Sequence, residues 1–251
     1  MFPDGGRISA PFHANLSFQV RSIDLQSSAI VIAVFTFVLL LFSLSVHESA
    51  HAWTASRLGD QTARMLGRVS LNPMDHVDPI GTLLLPALMI FGPFVGLGFL
   101  GGYIFGWAKP VPIISRNFRN FKRDDMLVSL AGPASNLLLA FIAFLGFAAV
   151  LFSESHLPEG ASPSTTQQSL EMLCDVALRL NLTLCIFNLL PIPPLDGSHV
   201  LRNVLPYGAL RVFDSITGPL SYLLLIFVGG AILRVVMTPI LTLAYAILAR
   251  I

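Results

Sequence analysis

The sequence predicts an all-α polytopic membrane protein, and three features carry that expectation. Hydrophobic residues make up 54% of the chain and charged residues only 12%, whereas an average soluble domain carries roughly 25% charged residues. Residues 29–46, 126–152, 182–195 and 216–233 contain no charge at all, and a helix needs about 20 such residues to cross a bilayer. The remaining polar residues gather in short blocks between these runs. The expected architecture is a bundle of about 4–6 transmembrane helices with a re-entrant segment and a short β element after the first helix. A net charge of +1 gives no basis for nucleic-acid binding.

Residues 1–28 form a polar N-terminal segment with Asp4, Arg7, Arg21 and Asp24. The run that follows is too long for a signal-peptide core and leads into polar residues rather than a small-residue cleavage site, so it reads as a retained span. The first helix is expected over about residues 27–58, with Gly59-Asp60 as its stop. In the polar segment 60–79, Arg68-Val69-Ser70-Leu71 alternates as a strand would, and Asn72-Pro73 and Asp78-Pro79 mark turns. Residues 80–106 are apolar but hold Pro86, Pro93 and seven glycines, too many breaks for a straight spanning helix.

Residues 107–125 carry Lys109, Arg116, Arg119, Lys122 and Arg123, while 153–169 carry Glu154 and Glu159 and no Lys or Arg. The positive-inside bias therefore puts 107–125 in the cytoplasm and 153–169 outside. Arg57, Arg64 and Arg68 put the flank before residue 80 in the cytoplasm as well. With both flanks on one side, 80–106 enters and leaves through the same face, and irregular backbone is tolerated there where it lines a protein cavity. The alternative is an ordinary span that leaves one Arg-bearing flank outside. A further apolar segment, about 170–190, ends in Pro191-Ile192-Pro193-Pro194-Leu195-Asp196-Gly197. The last, 217–251, is interrupted by Arg234 and Pro239 and reads as one span plus a short terminal helix, or as two spans. Cys174 and Cys185 are eleven residues apart in or beside one predicted helix, about 16 Å, too far for a disulfide.

The chemistry is concentrated in His47-Glu48-Ser49-Ala50-His51. Four residues advance a helix by about 400°, so His47 and His51 share a face and can bind one zinc ion, with Glu48 able to reach a water on the metal. Ionisable groups at the end of an apolar run are expensive to bury and mark function. Catalytic zinc usually takes three protein ligands and one open position. Asp196 is the candidate third ligand, because Pro191, Pro193 and Pro194 break the preceding helix and are expected to leave it on extended backbone. An interfacial turn aspartate in an Asp-Gly pair is the competing reading.

These motifs resemble the site-2 protease family of intramembrane zinc metalloproteases, peptidase family M50. The motif His47–His51 matches the family's zinc motif, and Leu195-Asp196-Gly197 matches the second motif, which in that family supplies the third ligand. Ala131-Gly132-Pro133-Ala134-Ser135-Asn136 is similar to a small-residue and Asn signature on the third core helix, and Gly106-Trp107-Ala108-Lys109-Pro110-Val111-Pro112 to the compact bacterial members. The resemblance covers residues 44–204. It implies one Zn2+ held by His47, His51 and Asp196, and Glu48 as the catalytic base. It also implies a single membrane-embedded protease unit over 1–251, with a core at 29–204 and C-terminal helices at 205–251. No segment long enough for a PDZ or CBS domain is expected.

The implied partners are the lipid bilayer and a transmembrane protein substrate, and the implied location is a bacterial inner (plasma) membrane with the active site toward the cytoplasm. Asn136 and His76 are candidate substrate-binding residues. For Asn136 the competing role is interhelical packing; for His76 it is a solvated loop histidine, and His199 reads as structural. A metal carrier or non-catalytic scaffold would use the same ligands, but neither needs a base at Glu48. A peptidase anchored in the membrane and acting on soluble substrates is disfavoured by the motif's place inside an apolar helix.

Overall fold

The computed structural model describes residues 25–97, 106–158, 160–215 and 218–251. The polar segment 1–24, residues 98–105 of the expected re-entrant stretch, and Glu159 lie outside them. Among the described residues, three helices are long and apolar enough to cross a membrane: Ala29–Leu58, Phe121–Ser155 and Phe227–Leu248.

Helix α1 (Leu25–Leu58) ends where the sequence predicts. Gly59 takes φ +122°, a left-handed conformation that releases the helix, and a Cβ there would stand 2.7 Å from the Asn117 carbonyl oxygen. Asp60 then fastens the helix end to the loop before α4. Its carboxylate accepts from Thr62 Oγ1 at 2.6 Å, from Ile114 N–H at 2.7 Å and from Asn117 Nδ2 at 2.9 Å. A short helix α2 (Thr62–Met65) follows.

Helix α3 (Leu85–Phe91) is preceded by a wider helical turn over Pro79–Leu84. The chain returns to its starting point after the undescribed residues. Trp107 N–H donates to Gly81 C=O at 3.1 Å, Thr82 Oγ1 to Trp107 C=O at 2.8 Å, and Lys109 N–H to His76 C=O at 2.9 Å. The two ends of the 80–106 stretch therefore lie side by side.

Helix α4 (Phe121–Ser155) runs antiparallel to α1, a register set by three contacts. Arg119 N–H donates to Leu58 C=O, His51 faces Val128, and Gly132 abuts His47 and His51. Helix α5 (Thr165–Asn188) starts with a capping box between Ser164 and Gln167 and returns antiparallel along α4. Ala140 and Ala143 of α4 pack on Leu178 and Leu182 of α5 and on Met237 of α9 (Gly230–Leu248). Val34, Val38 and Phe42 on α1, and Leu138, Phe141, Ile142 and Leu145 on α4, are exposed, the arrangement of helices whose outer faces meet lipid.

The remaining helices are α6 (Asp196–Val204), α7 (Tyr207–Ser215) and α8 (Pro219–Leu224). Helix α8 runs through a wider turn, Leu225–Gly229, into α9, so 219–248 is one helical run and yields one candidate span. Cys174 and Cys185 are free.

Two expectations need correction. The described residues contain no strand, and residues 69–72 run as irregular chain. No neighbouring strand pairs with them, and Ser70 is held by side chains instead. Asp196 does not sit on extended backbone but opens α6. Leu195, with ψ 157°, is the last extended residue, and an aspartate in the first turn complements the helix dipole.

Candidate metal centre

His47 and His51 lie in the last third of α1. His51 is seven residues before Leu58, about 10 Å along the axis. Both imidazoles are buried. Their Nε2 atoms are 3.1 Å apart. Asp196 Oδ2 lies 3.2 Å from His47 Nε2 and 3.3 Å from His51 Nε2. Ligands placed tetrahedrally 2.0–2.1 Å from zinc stand about 3.3 Å from one another. The three donor atoms therefore already have the spacing of three corners of a zinc tetrahedron, and the donor set, two imidazoles and a carboxylate, suits that metal.

Separate devices place these candidate ligands. His51 Nδ1 is 2.7 Å from the Val128 carbonyl oxygen, which fixes the ring with Nε2 toward the cluster. Pro133 lies inside α4 and cannot donate to the backbone ladder, so the Ser129 carbonyl next to this contact lacks its usual donor four residues on. Gly132 provides the room. A Cβ there would lie 2.3 Å from His51 Nε2 and 2.5 Å from His47 Cε1. Gly197 does the same for α6, because a Cβ there would lie 2.2 Å from the Leu189 carbonyl oxygen. That close approach lets α6 begin directly under the end of α5 and carries Asp196 to α1. Asn203 Nδ2 donates to Asp125 Oδ2 at 2.6 Å, tying the far end of α6 to α4.

Glu48 is half-buried beside the cluster. Ser49, inside the motif, is a residue the spacing argument passed over. Its hydroxyl donates to Ser70 C=O and accepts from Ser70 N–H at 3.2 Å. His76 Nε2 is 2.8 Å from the same carbonyl oxygen and 3.4 Å from Ser49 Oγ. His76 is only 2% exposed, so it is not a solvated loop histidine. It is one of the ties between the 68–78 segment and α1. Asn136 is fully buried one turn beyond Gly132, and neither of its amide atoms has a partner among the described groups. His199 is exposed on α6.

An apolar helical bundle with a buried cluster of two histidines and a carboxylate defines the class: an integral membrane protein with a metal centre suited to hydrolytic chemistry. The family follows from sequence comparison. The description "Peptidase family M50" matches residues 153–228, a stretch that includes Asp196. YwhC of Bacillus subtilis, named as a candidate zinc metalloprotease, is 40% identical over 171 residues, 68% of this chain and 69% of that protein. The similarly named Rip2 of Mycolicibacterium smegmatis is 34% identical over 72% of this chain and 58% of its own length. Rip2 of Mycobacterium tuberculosis is 35% identical over 64% of this chain and 54% of its own length. The chain belongs to peptidase family M50. No solved structure matches it.

Proposed function

We propose that this protein is an intramembrane zinc metalloprotease that hydrolyses peptide bonds in or near the transmembrane segments of other membrane proteins, as in regulated intramembrane proteolysis. The observation that carries the reading is the convergence of His47, His51 and Asp196 at tetrahedral spacing, with Glu48 adjacent, at the end of a helix apolar enough to span a membrane. The zinc metalloprotease names of the relatives support it. We assign the protease core to residues 29–204 of one membrane-embedded unit.

Zinc held by these three side chains would supply a Lewis acid that acidifies water and polarises a carbonyl. Glu48 accepts the proton of the attacking water and delivers it to the leaving amine, so the water's hydroxyl ends on the new carboxyl group and its proton on the amine. His47 and His51 would hold the ion through their Nε2 atoms, and Asp196 would offset part of its charge where bulk water cannot. A substrate helix shields its peptide bonds with its own hydrogen bonds and has to unwind locally. The irregular 69–72 segment, anchored by Ser49 and His76, holds the extended substrate. His76 thus serves substrate binding through Ser70, while the Asn136 amide contacts substrate or the developing oxyanion from α4.

The site opens toward the cytoplasm, where Arg57, Arg64 and residues 107–125 gather. The 80–106 stretch is re-entrant, a reading supported by the hydrogen bonds that join its ends. The test is co-expression with candidate single-span membrane proteins of a bacterial inner membrane. Wild type cleaves one of them and Glu48→Gln leaves it intact; equal cleavage by both removes the mechanism.

A further inference from the structure

The two imidazoles of the cluster are held differently on their outer sides. His51 Nδ1 has the Val128 carbonyl at 2.7 Å. His47 Nδ1 is buried and has no hydrogen-bond partner among the described protein groups. A neutral imidazole that offers Nε2 to a cation carries its proton on Nδ1. His47 therefore presents a buried N–H donor. Metal-bound histidines almost always give that proton to an acceptor, and the acceptor fixes ring orientation and basicity.

Two further buried polar side chains lie within about one helical turn of His47. Ser43 precedes His47 by one turn on the same face of α1. Side chains on a helix lean toward its N-terminus, so the His47 ring reaches back over Ser43. Thr36 and Ser45 donate their hydroxyls to carbonyls four residues back at 2.7 Å. The Ser43 hydroxyl, fully buried, has no such partner. Across the helix pair, residue 51 faces 128 and residue 47 faces 132. Continued one turn, that register sets Ser43 opposite Asn136, which is fully buried with Oδ1 and Nδ2 both unpartnered. Unsatisfied polar atoms from three side chains thus fall within about one helical turn of one another, on the side of the cluster away from Leu58.

Polar groups that do not reach one another directly are joined by a buried water where it finds two to four polar partners. We propose that Ser43, Asn136 and His47 Nδ1 enclose one ordered water, and that Ser43 is a positioning residue for His47 through it. The water accepts from Nδ1–H and donates to Ser43 Oγ and Asn136 Oδ1. The Asn136 Nδ2 donor is left for the substrate side. This inference rests on the zinc-site reading above. A role limited to packing between helices would change the stability of the metal-free protein and leave metal affinity alone.

The experiment measures the zinc dissociation constant of the purified full chain in detergent by competition with a chelator, beside thermal unfolding of the zinc-free protein. Ser43→Ala weakens zinc binding roughly 10–100-fold, the usual consequence of losing an outer hydrogen-bond partner. Ser43→Thr, which keeps the hydroxyl, binds within about threefold of wild type. Ser43→Ala and Asn136→Ala together weaken it by much less than the product of their separate effects, because both hold the same water. Wild-type zinc affinity in Ser43→Ala overturns the proposal, as does a loss confined to zinc-free stability. If Ser43→Ala does not purify folded, Asn136→Ala alone, which removes another partner of the same water, carries the same two outcomes. His51→Ala is the control. If it retains zinc, the metal-site reading itself fails; if it loses zinc while Ser43→Ala does not, only this inference fails.

Discussion

Gly132→Ala is the substitution whose effect follows most directly from the geometry. The added carbon would stand 2.3 Å from His51 Nε2, 2.5 Å from His47 Cε1 and 2.6 Å from His47 Nε2, where ordinary contacts begin at 3.4 Å. At least one ring or helix has to yield by about 1 Å. His51 is not free to swing, because its outer nitrogen is held by Val128. The yielding distance is about five times the 0.2 Å tolerance of a metal–ligand distance. Misplacement by about 1 Å costs on the order of 100-fold in rate. Stability changes less, since overpacking costs about 1–3 kcal/mol while alanine gains about 1 kcal/mol over glycine in a helix. The assay is bound zinc and cleavage rate on folded, purified protein. Gly132→Ala should lose most of its zinc and at least about 100-fold in activity. Gly146→Ala, on the same helix, meets only the Cys174 sulfur at 3.1 Å and should keep both. A Gly132→Ala protein with wild-type zinc and activity would refute the reasoning.

Other outcomes follow from the same structure. Asp60 is driven up by burial, but the hydrogen bonds from Thr62, Ile114 and Asn117 outweigh this and hold its carboxyl below the usual 3.8. Its folded pKa is depressed, so the stability it contributes is present above about pH 3.8 and lost as pH falls through the lower folded value. Asp60→Ala should cost about 3 kcal/mol at neutral pH by stranding those donors, and melting curves against pH should show the gap from wild type closing only below pH 3.8. Asp196→Asn should lower zinc affinity and cleavage together, read by chelator competition beside the protease assay. A cysteine at Ser115 should react with a membrane-impermeant thiol reagent only after the membrane is opened, and labelling from outside the intact membrane would reverse the orientation. His76→Ala should raise the KM for an extended membrane substrate several-fold while zinc content holds; wild-type KM would remove its tie to substrate.

The first helix and the metal cluster were legible because local rules determine them. A charge-free run followed by two histidines four apart specifies a helix with both imidazoles on one face, and Gly59 specifies its end. That Asp196 belongs beside the two histidines was legible from its motif, although its backbone was not. The prolines stop α5, but whether the next residues stay extended or begin a new helix depends on Gly197 packing against Leu189. His76 is surrounded by polar residues in the sequence, which suggests solvent. Its burial comes from Ser49, on a helix 27 residues earlier. Alternation at Arg68–Leu71 allows a strand, but a strand also needs a partner, and none is present among the described residues. Gly132 reads as a small residue in a Gly-Pro pair. That its missing side chain makes room for two histidines of another helix becomes visible only once α4 is laid against α1.

The central claim is that His47, His51 and Asp196 hold one zinc ion while Glu48 serves chemistry alone. The most direct measurement is zinc bound per purified chain, beside cleavage of a membrane substrate by the same preparations. Wild type and Glu48→Gln should each bind about one zinc, with cleavage only in wild type, while His51→Ala and Asp196→Ala should bind little zinc and not cleave. Full zinc occupancy in Asp196→Ala, or cleavage by Glu48→Gln at the wild-type rate, would contradict it.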